Sequence, residues 1–167
     1  MRQLACIIAI VVGLASCGPR PSGGGSDGGA GDLAGCAIPV GGVPISTGDL
    51  TAVTDNTLAC TGTVNGQPMN CGSGSATLKR VSCSDGYAFT LVSGDATLTI
   101  RIQTTGGFSA GAEFAGGPPL TGDLTLLGVG GSGLQPPAGT VEKGSFVLQG
   151  TGAGQGIVAN GTLLTTW

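Results

Sequence analysis

Hydrophobic residues in the middle of this chain recur at every second position. Leu98, Ile100 and Ile102 alternate with Thr97, Thr99, Arg101 and Gln103. That period belongs to a strand with one face buried. In the stretch before it, Tyr87, Phe89 and Leu91 share one face, and Ala88, Thr90 and Val92 share the other. Ser84-Asp85-Gly86 and Ser93-Gly94-Asp95 supply turn residues on either side. Segments 76–83, 87–92 and 96–104 are therefore predicted to form a meander of hairpins. Further strands are expected at 50–54, 58–64, 67–71, 123–129, 145–149 and 157–166. No ten-residue window carries helical periodicity. Short strands between Gly and Pro turns place the chain in the all-β class, as an antiparallel β-sandwich or small barrel. An immunoglobulin-like sandwich is the default by analogy. Glycine, at 35 of 167 residues, is entropically costly in strands. β-branched residues and covalent staples are expected to offset that cost.

The N-terminus carries different information. Met1-Arg2-Gln3 is a short positive segment, and Leu4 to Leu14 is apolar apart from Gly13. This is the layout of a secretory signal. The run falls well short of the roughly 20 residues that a spanning helix needs. Leu14-Ala15-Ser16-Cys17, followed by Gly18, resembles the lipobox of bacterial lipoproteins. The resemblance implies that Cys17 receives diacylglycerol through its sulfur. It also implies that residues 1–16, Cys6 included, are removed, and that the new amine is usually acylated. Gly18 stands where an Asp often signals inner-membrane retention in Gram-negative bacteria. The resemblance thus implies the outer membrane, with either face open. Two or three acyl chains, at about 0.8 kcal/mol per buried CH₂, hold a protein at a membrane where one chain is marginal.

Residues 17–35 then read as the lipidated Cys and a flexible linker. Gly18 to Gly35 is dominated by Gly and Ser and has no apolar period. Its root-mean-square span is about 23 Å by flexible-chain scaling. The β-rich domain is expected over 36–167. It holds Cys36, Cys60, Cys71 and Cys83, an even number in an oxidising compartment. Asn65-Gly66 is the strongest hairpin signal in the chain. A two-residue turn there pairs Val64 with Gln67 and sets Cys60 directly opposite Cys71. Cys60–Cys71 and Cys36–Cys83 are the expected disulfides. Pro68 confines its strand to an edge. The cysteines lack the CxxC spacing of redox pairs and the paired short spacings of a zinc site.

The remaining chemistry is sparse. The chain has no histidine, 9% charged residues and a net charge of −3. An imidazole base or ligand is excluded, and a nucleic acid is not an expected partner. The domain's carboxylates are Asp49, Asp55, Asp85, Asp95, Glu113, Asp123 and Glu142. A glycosidase would need two of them across one cleft; most follow Gly or Ser and are expected in turns. Thr47-Gly48-Asp49-Leu50-Thr51 recurs as Thr121-Gly122-Asp123-Leu124-Thr125. Neither copy has the alternating acids of a calcium loop, so a shared turn-into-strand solution or a decayed duplication is expected. Lys79 and Lys143 are the only lysines, and neither lies in a Ser-x-x-Lys motif. Tyr87 and Phe89 are expected in the core. Phe108, Phe114, Phe146 and Trp167 are expected in core or edge packing rather than as sugar platforms.

Together these features point to a lipid-anchored outer-membrane protein with a non-enzymatic role, as an interaction or envelope-structural module. The expected partners are the membrane, through the anchor, and an envelope or extracellular protein. No cofactor or metal is expected. The alternative is a domain that binds a glycan or a small apolar molecule. A carboxylate-dependent hydrolase comes last.

Overall fold

A computed structural model describes Cys36 and residues 42–105, 107–127 and 136–167. Eleven strands follow one another along the described residues. They are β1 (Ile45–Thr47), β2 (Thr57–Thr61), β3 (Thr63–Val64), β4 (Gln67–Pro68), β5 (Thr77–Cys83), β6 (Gly86–Ser93) and β7 (Ala96–Gln103). β8 (Ser109–Phe114), β9 (Pro119–Leu127), β10 (Val141–Gly150) and β11 (Val158–Thr166) complete the set. The one described helical turn is a 3₁₀ segment, Gly152–Gly154.

Strands β5 to β11 pair in chain order, each antiparallel to the next, and β2 adds beyond β11. The sheet curls until its two edges meet. A bridge between Thr57 and Ser75 and the bond from Leu58 N to Gly74 O (2.8 Å) join β2 to the start of β5. The protein is thus an all-β, nearly closed antiparallel barrel. Its strand order is that of a meander, so the small barrel is the form taken rather than an immunoglobulin-type sandwich.

The pairing register explains the core. Tyr87 stands opposite Ile102, which stands opposite Ala110; Phe89–Ile100–Ala112 and Leu91–Leu98–Phe114 repeat the pattern. Cross-strand partners share a face, so these rows point inward together. Phe146, Leu148, Ala159, Leu163, Leu58, Leu124 and Leu126 meet them from the other side, all buried. Small residues make room for large ones. A Cβ on Gly144 would lie 2.8 Å from Leu163 Cγ and 2.9 Å from Leu126 Cδ2. Alternation of large and small side chains is how a small barrel fills its interior.

Two seams interrupt the ladder. β8 pairs with β9 only at Ala112–Leu120 and Glu113–Pro119. Beyond that point the strands part and β1 enters. It runs parallel to β9 from Ile45–Leu124 to Thr47–Leu126, and Val43 bridges to Ala110 of β8. Thr121 Oγ1 donates to the carbonyl of Gly42 beside it. The second seam lies between β5 and the end of β11. β2 does not reach this far, since its pairing with β11 starts at Thr57–Thr162, and side chains span the gap in its place. Asn56 Oδ1 accepts from Leu164 N (2.7 Å), and Arg80 donates to the carbonyl of Thr166 (2.8 Å).

Candidate functional site

The second seam leads to the most unusual chemistry in the molecule. Glu142 lies near the start of β10, in phase with Gly144, Phe146 and Leu148, so the strand period turns it inward. It is fully buried. Tyr87 of β6 donates its hydroxyl to Oε1 at 2.9 Å, and Trp167, just past β11, donates Nε1 to Oε2 at 2.7 Å. Both donors are neutral. The nearest cation, Arg80 of β5, lies behind the indole with its guanidinium carbon 4.1 Å from the ring centroid. The rings pack edge to face, with Tyr87 and Trp167 centroids 4.8 Å apart and Tyr87 and Phe89 5.3 Å apart.

Burial holds the Glu142 carboxyl above its ordinary range; the bonds from Trp167 and Tyr87 and the charge of Arg80 pull the other way without cancelling it. Burial likewise pushes the Tyr87 phenol up, and the neighbouring carboxylate adds to the effect. The carboxyl therefore ties β10 to β6 and to the residue after β11, with Arg80 of β5 stacked on the indole. The cluster presents a carboxyl without a second carboxyl among its hydrogen-bond partners.

A separate polar group lies on the outer face near the β5–β6 turn. Asp85 is ion-paired with Arg101 and accepts from Gln103 Nε2 (3.1 Å). Its carbonyl accepts from the backbone of Thr104 (2.9 Å) and Thr105 (3.2 Å). Arg101 is buried, and its Nε has no hydrogen-bond partner among the described residues.

The surface grooves are shallow and open. One of about 210 Å³ runs between the β3–β4 hairpin and the barrel, over Met69 and Phe114, with Gln67, Asn70, Asp95 and Thr97 among its polar walls. Another, of about 260 Å³, lies along β1 beside Phe108 and Leu126.

The residues singled out from sequence fall as follows. Cys17 lies outside the described residues. Cys36 and Cys83 stand at disulfide distance, with Cα atoms 5.8 Å apart, as do Cys60 and Cys71 at 5.6 Å. The two pairs lie on different parts of the barrel, the first at the β5–β6 turn and the second beside Ser93, which donates to the carbonyl of Cys71 (2.6 Å). Asp49 does act as a turn former: its carboxylate accepts from Thr51 N (3.0 Å), which holds its pKa down. Glu142 does not; it belongs to a strand and to the interior. The two TGDLT copies do not share a conformation. The first leaves β1 for a loop, whereas the second lies within β9. Phe114 is buried in the barrel and Phe108 is half exposed.

Among the described residues there is no group of three or more Cys, Asp or Glu side chains placed to hold a metal ion. No helix among them is long and apolar enough to cross a membrane. The Glu142–Tyr87–Trp167 cluster was missed because the strand expected at 145–149 stopped short of residue 142. Extending its period backwards by two steps from Phe146 would have turned Glu142 inward. In comparison with known proteins, no family model, no curated protein and no solved structure matches this chain.

Proposed function

We propose that this chain is a lipid-anchored protein of the bacterial outer membrane, whose barrel is a non-enzymatic interaction or envelope-structural module. The observation that carries this is the lipobox Leu14-Ala15-Ser16-Cys17, set directly before an 18-residue Gly- and Ser-rich segment. Cys17 bears the lipid, residues 18–35 are the tether, and the disulfide-stapled barrel is displayed at its end. The alternative, a ligand held inside the barrel mouth, meets an interior already occupied by Tyr87, Phe89, Ile100, Ile102 and Phe146. Contact with a partner protein therefore falls to the outer face and its open grooves.

The experiment is fractionation of cells that make the wild type or Cys17→Ser, with labelled palmitate supplied. The wild type is expected to carry label and to partition with the outer membrane. Cys17→Ser is expected to lose both. Unlabelled wild type that remains soluble would refute the anchor. Protease added to intact cells then assigns the face, since the glycine-rich tether is cleavable wherever the enzyme reaches it.

A further inference from the structure

The Glu142 cluster is more than packing. Its carboxyl is fully buried, yet among the described residues its hydrogen-bond partners are neutral. An isolated ionised carboxylate in such a place is costly unless water or a counter-charge reaches it. Among the described residues the groups around it are few, and β9, which ends at Leu127 opposite Lys143, brings no ionisable side chain to this end. β5 brings Arg80, which reaches the cluster only through the indole and the Thr166 carbonyl. β6 brings Tyr87. β7 and β8 bring Ile102 and Ala110 to this end, neither ionisable. β11 sets Thr165 opposite Glu142. The next residue on β10, Lys143, points away and donates to Thr51 O (3.2 Å).

Of the two donors, only one can leave without breaking the barrel. Tyr87 is 1% exposed and packed within the barrel core. Trp167 is half-buried and lies past the last strand. Its backbone is fixed, with its N–H on Thr140 O (2.9 Å) and its carbonyl on Gly139 N–H (2.6 Å). Turning the indole about its side-chain torsions would leave these main-chain bonds in place, at the cost of its bond to Glu142 and its contacts with Tyr87 and Phe89.

We propose that the Trp167 indole is a proton-controlled latch over the β5–β11 seam, seated while Glu142 carries a proton and swung outward as Glu142 ionises. The seated form keeps the carboxyl dry; the open form lets water solvate the carboxylate. Protons therefore bind the seated form more tightly, and falling pH favours it. The raised affinity of Glu142 for its proton agrees in direction. When the indole swings out, Arg80 loses its stacking partner.

The molecule carries its own reporter, since Trp167 is the only Trp and Tyr87 the only Tyr in the chain. The test is the emission spectrum of the whole protein from pH 4 to 8, with far-ultraviolet circular dichroism recorded alongside. Emission is expected to move to longer wavelength as pH rises, with a one-proton midpoint above the ordinary value of 4.5 and an unchanged sheet signal. Energy transfer from Tyr87 is expected to fall in parallel. Glu142→Gln reproduces the protonated carboxyl, with its oxygen on Trp167 and its amide on the Tyr87 oxygen, and should keep the short-wavelength spectrum at every pH. Tyr87→Phe removes one donor to the ionised form and should raise the midpoint. A wild-type spectrum that ignores pH would overturn the latch. So would the same titration in Glu142→Gln, or a shift that occurs only as the sheet signal is lost.

Discussion

Glu142 and Gly144 stand one step apart on the same face of β10 and show how little slack the interior has. Gly144 lends its missing side chain to Leu163 and Leu126. Gly144→Val should therefore lower stability by about 1–3 kcal/mol, the usual cost of overpacking a filled core. Urea unfolding would measure it, with the midpoint displaced and the slope unchanged. Gly66 tests a different property. Asn65 and Gly66 both have positive φ, 52° and 77°, as a type I′ hairpin turn requires. Nothing lies within 4 Å of a Cβ built on Gly66, so Gly66→Ala probes backbone conformation alone. The expected loss is about 1 kcal/mol, from placing a side chain in the left-handed region.

At the scale of elements, the two cysteine pairs close loops of unequal length, with sequence separations of 47 and 11 residues. On the chain-entropy account, losing the bridge at Cys36–Cys83 should cost about 4 kcal/mol and losing that at Cys60–Cys71 about 3 kcal/mol. Paired Cys→Ala variants compared by thermal unfolding would rank them; equal losses, or the reverse order, would show that local strain outweighs loop entropy. Which strands were legible from sequence follows from the same physics. β6, β7 and β11 were readable because polar and apolar residues alternate cleanly or β-branched residues abound. The Asn65-Gly66 turn was readable because few turns demand two positive φ values. β8 was not, because Ser109-Ala110-Gly111-Ala112 reads as a loop until Ile100 and Ile102 of β7 stand opposite its alanines. Segment 50–54 was expected to be a strand, but Asp49 caps a turn there and Val53 N bonds Leu50 O (3.0 Å). β1 was illegible for another reason. Its place is a gap between two strands far along the chain, and no local pattern reports such a gap. The pairing at the ends of the candidate cluster was hidden likewise, since Tyr87 and Glu142 are 55 residues apart.

For the whole molecule, the buried carboxyl makes stability depend on pH in an uncommon sense. A carboxyl held above its ordinary pKa binds its proton more tightly when folded than when unfolded. The stability it contributes is full below pH 4.5 and declines as pH rises through the raised folded value. Asp49 acts oppositely, through a lowered pKa whose contribution disappears as pH falls, but it is fully exposed. Glu142 should therefore dominate the mildly acidic range. Denaturant midpoints are expected to fall from pH 5 towards pH 8 in the wild type and to flatten in Glu142→Gln. A wild-type midpoint that climbs over that range would contradict the assignment.

The pairing of Cys36 with Cys83 also has a mechanical consequence. Once that bridge is formed, a pull applied anywhere before Cys36 enters the barrel at the end of β5. The intervening chain, with β1 to β4 inside it, is bypassed. β5 is tied to β6 by a seven-residue ladder, whereas β1 meets β9 at only three positions. With the bridge reduced, the same force would arrive first at β1 and peel it from its slot between β8 and β9. A single molecule stretched from its N-terminal segment should thus resist with one high rupture force when oxidised. After reduction it should show an earlier, weaker event as β1 detaches.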